Sequence, residues 1–471
     1  MSPHMESSAI SKPLINLLRG WPNPSLLSVQ LFDKATHRVL TNKANAIPGM
    51  LYGPDEGDAR LRKGVASWLT SFYSASKPIT EDRIAVSGGA SQAIANILQV
   101  YTDPIYTRNV WLVSPSYMLV FRIFEDSGFA HKLRAVPSED DEGIDIDFLR
   151  AQIRMSEEKA IQDGITEPHL KPQRPWAKVY KHIIYAVPTF SNPTSKTMTL
   201  QKREDLVRLA REYDALIICD DVYDFLQWPS SLHATNLSRD KAALPRIVDV
   251  DRYLDGGTKR PGADGFGNSL SNGSFSKISG PGLRTGWVEG TENFAYGVAQ
   301  TGSSRSGGAP SHLTATFVAE TLESGELQRY VYETLQPTYG RRYQKMVGAI
   351  NKELIPLGVE LPQTERDVVG GYFIWLTLPH PLKGSLVTKR AEEENLIVAP
   401  GQIFEVPGDN ADIHFERDLR LCFAWEEEDK LVEGIERLAS CIRRLQSEGG
   451  GEPLSPAAEA EMHKRLVGVR S

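Results

Sequence analysis

The sequence predicts an α/β protein: a mostly parallel sheet between helices, followed by a smaller α+β domain. Three observations carry this. Short apolar, β-branched runs at 84–86, 110–113, 183–187 and 216–219 are of the kind buried on both faces of a parallel sheet. Helical patterns lie between them, and strand–helix alternation implies right-handed crossovers. From about Tyr343 that alternation gives way to another pattern.

In chain order, the clearest helix covers 200–213, where Leu206, Leu209, Ala210 and Tyr213 share one face and Thr199 can cap the start. The stretch 229–273, rich in Gly, Asp and Pro, reads as a long inserted loop. After Tyr343 come a long helix, the strands 370–375, 396–401 and 419–423, and a last helix near 430–445. Beyond Gly449-Gly450-Gly451 the chain reads as a polar, mobile tail. The expected divisions are an N-terminal segment 1–60 shared with the small domain and covering the active site, a large domain 61–342, a small domain 343–446 and a tail 447–471.

Composition narrows the function. At 471 residues, 41% hydrophobic and 24% charged, the chain has ordinary globular composition. Its net charge of -7, with basic residues scattered, argues against a nucleic-acid surface. No apolar run approaches the roughly 18 residues of a membrane span, and the N-terminus lacks a signal-peptide pattern. Cys219, Cys422 and Cys441 are too few and too far apart for a disulfide framework or zinc site, so a reducing cytoplasm is the default compartment. The ten histidines form no H-E-x-x-H or similar pairing, and no metal is expected.

Several strand ends carry candidate chemistry. SGGASQA (87–93) follows a strand and opens a helix, where backbone N–H groups make an anion site. ALIICDDVY (215–223) delivers Asp220 and Asp221 to the carboxyl edge of the sheet, where α/β folds bind ligands, with Tyr223 nearby. Asn192, held extended before Pro193, projects its amide from a turn, and Tyr117 sits just past another strand. Arg420 lies in the apolar run LRLCF (419–423), where a guanidinium needs an anion.

The segment SFSKISGPGLRTGW (274–287) admits an S-x-x-K acyl nucleophile, a phosphate loop, a cofactor lysine or a polar turn. The S-D-N or Y-x-N and K-T-G partners of S-x-x-K enzymes are absent from the sequence. A phosphate loop alone leaves Asp220, Asn192 and Tyr223 idle; a lysine bonded to pyridoxal phosphate uses all of them.

With SNPT (191–194), DDVY (220–223), SGGASQA, LYGPDEGDARLR (51–62) and LRLCF, this segment resembles the fold-type I, class I/II aminotransferases over about residues 14–445. LLRGWPNP (17–24) is similar to the branch holding the 2-aminoadipate and kynurenine transaminases and their fungal relatives. The resemblance implies a mostly parallel seven-stranded sheet, pyridoxal 5'-phosphate as cofactor, and a homodimer with shared active sites. It implies a Schiff base on Lys277, which is also the base for the α-proton. It gives Asp220 to the pyridinium nitrogen, Asn192 and Tyr223 to the phenolic oxygen, and Tyr117 to stacking on the ring. Ala90, Ser91, Ser274 and Arg284, with Ser276 nearby, fall to the phosphate end, and Tyr52 reaches the neighbouring subunit's phosphate. Arg420 clamps the substrate carboxylate, with Gly20 and Asn192 beside it.

Ser195 stands where the family usually has Gly, and the 229–273 stretch has no match in most of the class. The implied activity is ping-pong transfer of an amino group from an L-amino acid to a 2-oxo acid such as 2-oxoglutarate. A carbon–sulfur β-lyase on the same scaffold is the alternative. Arg19 reads as a surface residue or, alternatively, as a partner for a distal carboxylate, whereas Trp21, Phe404 and Trp425 suit an aromatic or aliphatic side chain.

Overall fold

The computed structural model describes residues 12–139, 143–231, 238–362, 366–409 and 413–468; residues 1–11 of the expected N-terminal segment and 469–471 of the expected tail lie outside this set. Seven strands form the central sheet: β1 (Ile84–Ser87), β2 (Val110–Val113), β3 (Leu133–Val136), β4 (His182–Ala186), β5 (Ala215–Asp220), β6 (Ser269–Ser274) and β7 (Gly286–Glu289). Their order is β1-β7-β6-β5-β4-β2-β3. Only β7 runs against its neighbours β1 and β6; the other pairings are parallel.

Strand alternation divides β5 between two cores. Leu216 and Ile218 pack with Ile94 and Ile97 of helix α1 (Ala90–Tyr101), while Ile217 and Cys219 pack with Leu206 and Leu209 of helix α2 (Leu200–Glu212). Thr199 caps α2 by accepting from the Lys202 N–H. Burying each such aliphatic side chain is worth about 1.5–3 kcal/mol.

The stretch expected as an inserted loop holds a helix and a strand. Helix α3 (Ile247–Tyr253) packs on α2 and β6, and it forms part of the crossover from β5 to β6. Strand β6 reads SLSNGS, without the apolar signature of its neighbours, yet every residue in it is buried. Its polar side chains find partners: Ser271 donates to Asp221 and Asn272 to Asp220. Gly273 is required there, because a Cβ would lie 2.0 Å from the Trp287 ring.

A second, three-stranded sheet contains β8 (Phe373–Thr377), β9 (Ala399–Pro400) and β10 (Asp418–Cys422), with β10 in the middle and antiparallel to both. Helices α4 (Gln336–Glu353) and α5 (Glu428–Ser447) pack against each other beside it. The short strand Ile15–Asn16 pairs with Leu396–Ile397, which carries the N-terminal segment into this region. The expectation of a mobile tail from 447 is corrected: helix α6 (Pro456–Gly468) forms, with Met462 and Leu466 buried. These two are spaced i, i+4 among strong helix formers, a short apolar stripe that a reading for low complexity overlooks.

Among the described residues, no helix is long and apolar enough to cross a membrane, and no group of three or more His, Cys, Asp or Glu is placed to hold a metal ion.

Candidate active site

The carboxyl ends of β4, β5 and β6 meet the N-terminus of α1 and one arginine of β10 around a cavity of about 270 Å³. Asp220 ends β5 and is 6% exposed. Its register partner on β6 is Asn272, whose Nδ2 donates to Oδ1 at 3.1 Å. Tyr185 of β4 donates from its hydroxyl to Oδ2 at 2.9 Å. Burial pushes the Asp220 carboxyl up to about 7; Asp221 adds to the rise, and Tyr185, Lys277 and Asn272 oppose it.

Lys277 follows β6 in a turn held by Phe275, whose carbonyl accepts from Ile278, Ser279 and Gly280. The Lys277 Nζ donates to the Gly20 carbonyl at 2.7 Å, and its own carbonyl accepts from the Tyr372 hydroxyl at 2.9 Å. Burial pulls the amine down to about 8. The Tyr372 and Tyr223 rings lie 5.4 and 5.8 Å from it.

At the other end of the cavity, α1 begins after Gly89, which has φ +102. A Cβ at that position would sit 2.9 Å from Arg284 Nη2, so glycine leaves both the turn and the space beside it possible. Arg284, itself left-handed at φ 48, donates to the Gly88 and Pro281 carbonyls. Ser274 and Ser276 join their hydroxyls at 3.0 Å. Ala90, Ser91, Ser274, Ser276 and Arg284 all line the cavity here.

Arg420 enters from β10 and is 1% exposed. It donates to Asn192 Oδ1 at 2.8 Å and to the Leu18 carbonyl at 2.5 Å, and it packs against Phe373 and Phe404 with its carbon 4.1 and 4.8 Å from their ring centroids. Its Nε is buried without an acceptor, and burial pulls the guanidinium down to about 10. Tyr117 and Tyr223 complete the walls; burial raises both phenols, Tyr117 to about 12.

The cavity therefore brings together Gly20, Ala90, Ser91, Tyr117, Asn192, Asp220, Tyr223, Ser274, Ser276, Lys277, Arg284 and Arg420, twelve of the thirteen residues singled out in the sequence. Tyr52 stays outside, 89% exposed and packed beside Gly307. Ser195, in place of the usual glycine, keeps φ 59, and its hydroxyl donates to the Phe373 carbonyl. Of the stretch 229–273, residues 232–237 lie outside the described set, and none of its described residues lines the cavity.

Sequence reasoning missed Tyr185, Asn272 and Tyr372. Tyr185 and Asn272 had a signal: a polar group buried in a strand, on the face that leads to the cavity. Tyr372 had none beyond its glycine-flanked position.

Comparison with known proteins agrees with this geometry. The profile described as aminotransferase class I and II matches residues 32–438. An uncharacterized protein of Saccharomyces cerevisiae is 34% identical over 90% of this chain and 95% of its own length. The aromatic-amino-acid aminotransferase 1 of Thermococcus litoralis is 26% identical over 91% of this chain and 88% of its own. The crystal structure of LysN, the alpha-aminoadipate aminotransferase of Thermus thermophilus complexed with N-(5'-phosphopyridoxyl)-L-leucine, is 25% identical, with a TM-score of 0.68 over 92% of this chain and 93% of that one.

Proposed function

The chain belongs to the class I and II aminotransferases and uses pyridoxal 5'-phosphate; on that premise we propose that it moves the amino group of an L-amino acid to 2-oxoglutarate by ping-pong chemistry anchored on Lys277. One observation carries the reading. A buried amine, Lys277, and a buried carboxyl, Asp220, face one cavity whose far end is the hydroxyl and guanidinium cluster of Ser91, Ser274, Ser276 and Arg284.

The donor set fits the cofactor. The missing Cβ of Gly89 and the N–H groups of Ala90 and Ser91 leave a cradle for a phosphate beside Arg284. Asp220, held by Tyr185 and Asn272 through separate oxygens, would take the ring nitrogen. Asn192 and Tyr223 would take the phenolic oxygen, Tyr117 would stack on the ring, and Lys277 would bond the aldehyde carbon. Bound there, the cofactor supplies an electron sink for the charge left when the substrate loses its α-proton.

The protein's own groups do the rest. Arg420 grips the substrate carboxylate with its planar fork, shared with Asn192 and next to Gly20. Lys277, with its amine pulled to about 8, is poised near neutral pH to take and return the α-proton. Phe373 and Tyr117 give the cavity aromatic walls beside these groups. The reading includes a homodimer: Tyr52 stands exposed beside exposed Met50 and Leu51, apolar surface of the kind a second copy covers. It includes no nucleic-acid partner, and a cytoplasmic setting suited to three unpaired cysteines.

The test is a half-reaction screen of the holoenzyme, each amino acid being scored by the change in cofactor absorbance. Reaction with an amino acid, reversed by 2-oxoglutarate, is expected. Ammonia and pyruvate released from a cysteine conjugate, with no transfer to any oxo acid, would overturn the reading. Lys277→Ala should retain cofactor through Asp220 and the phosphate cradle, lose the absorbance of the covalent form, and drop turnover by about 10²–10⁴ or more.

A further inference from the structure

Helix α6 (Pro456–Gly468) lies past residue 438, where the family profile ends, and it contributes no side chain to the cavity. The chain is nevertheless built to bring it back onto the small domain. Gly449, Gly450 and Gly451, just after α5, take φ 72, 102 and 73, a left-handed run that reverses the backbone. A Cβ on Gly451 would lie 3.0 Å from both Leu386 and Leu445, so this turn is packed down. Arg465 then pairs with Glu392 at 2.6 Å, and Ser385 donates to Glu459, which ties α6 to the helix Gly384–Glu393. The ion pair is partly exposed and contributes little by itself.

The apolar side of α6 is seated on a particular place. The helix lies against the turn Gly401–Phe404. Met462 and Leu466 belong to the same buried cluster as Ile403, Phe404 and Trp375. Through Phe404 that turn meets the site. The Phe404 ring stands 4.8 Å from the Arg420 guanidinium carbon and meets Trp375 edge-on at 5.8 Å. Its carbonyl accepts from the Ser116 N–H at 3.0 Å, in the loop after β2 that presents Tyr117. One residue thus touches both the arginine of β10 and the backbone beside Tyr117, and α6 closes the core behind it.

Arg420 needs such backing. A two-pronged grip on a carboxylate depends on how the guanidinium plane is set. Asn192 and the Leu18 carbonyl take hydrogen bonds from Nη1 and Nη2, while Nε has no acceptor. Against the rest of the guanidinium stand Phe373 and Phe404, in contacts of the cation–π kind. Space opened behind Phe404 would let its ring retreat and the fork tilt, and a shift of about 1 Å is enough to weaken an oriented contact. We propose that α6 positions the carboxylate grip: Met462 and Leu466 hold Phe404 against Arg420, so that the tail sets the affinity for the substrate's α-carboxylate. Both are positioning residues, since neither reaches the cavity. The proposal rests on the reading that Arg420 takes that carboxylate.

The experiment titrates valerate, an unreactive monocarboxylate, into the full-length holoenzyme by calorimetry, and measures pyridoxal phosphate affinity alongside. Met462→Ala opens a cavity behind the turn and should weaken valerate about three- to tenfold, the range of one lost cation–π contact. Cofactor affinity should stay within about twofold of the wild type, and Met462→Leu should restore the grip. Phe404→Leu should show the same loss of valerate, and the double variant little more, because both changes act through one contact. Unchanged valerate affinity in Met462→Ala overturns the proposal, and so does a loss that simply adds to that of Phe404→Leu. Valerate and cofactor affinities falling together mark a general loss of stability and overturn it too. If Met462→Ala does not fold, Leu466→Val is read in the same way from a smaller cavity. The underlying reading fails differently: valerate then does not distinguish the wild type from Arg420→Met.

Discussion

Asp220 and Asp221 are neighbours in sequence, both buried, and they face opposite worlds. Asp220 continues the face of β5 that carries Leu216 and Ile218 and meets the cavity, held by two neutral donors, Tyr185 and Asn272. Asp221 turns to the other side, where Ser271 donates to it at 2.5 Å. Behind Ser271 lies Arg246, fully buried, paired with Asp249 at 2.9 Å and Glu289 at 2.7 Å and stacked on Tyr73. Burial pushes Asp221 up to about 6, with Arg246 as the strongest opposing influence. The pair teaches that a motif of two acids is not two chances at one role. The two-residue period of a strand gives one acid to the cavity and the other to the scaffold.

The strongest way to break the comparison is from the scaffold side. Arg246→Met removes the partner of two buried carboxylates and should cost about 3–5 kcal/mol of stability, read as a fall in denaturant midpoint. The fraction that stays folded should keep the cofactor absorbance of the wild type. Loss of that spectrum with unchanged stability would mean that the two sides are not separate.

From the catalytic side, Asp220→Asn should keep the fold and lower kcat/KM by about 10²–10³, the cost of one preorganised charge. Near-native activity there would reassign the ring nitrogen's partner.

The smallest effect sharpens the contrast through pH. The folded Asp220 carboxyl, raised to about 7 by burial, binds a proton that the unfolded chain has already released. The stability of cofactor-free protein should therefore fall as pH rises from about 4 to about 7. Asp220→Asn should lose its share of that slope in thermal melts at several pH values. The Asp221 share should remain.

Much of this site was legible in the sequence because its residues sit at strand ends, where apolar run, turn and polar residue follow in fixed order. Asp220 and Asn192 were found in this way, Lys277 from the S-x-x-K segment and Arg420 as a lone guanidinium within an apolar run, although they span 229 positions of chain from Asn192 to Arg420. Tyr185 was hidden inside an apolar run, since periodicity registers a tyrosine as one more large side chain. Strand β6 was missed for the opposite reason. Ser269, Ser271 and Asn272 read as loop until the acids that satisfy them are placed beside them. Helix α6 was missed because its apolar stripe is only two residues deep.

The carbonyls of Leu18 and Gly20 have a practical consequence at the bench. A fusion partner or a protease site placed after Pro13 would disturb the Ile15–Asn16 pairing that anchors them. Clipping between Asn16 and Asn23 would remove Trp21 from the rim and release Arg420 and Lys277 from their tethers. The central sheet contains none of those residues, but Leu17 and Leu18 are buried in the core, so such a preparation should lose activity together with part of its stability. Any linker therefore belongs ahead of Lys12, and an inactive batch should first be checked for an intact N-terminus by mass.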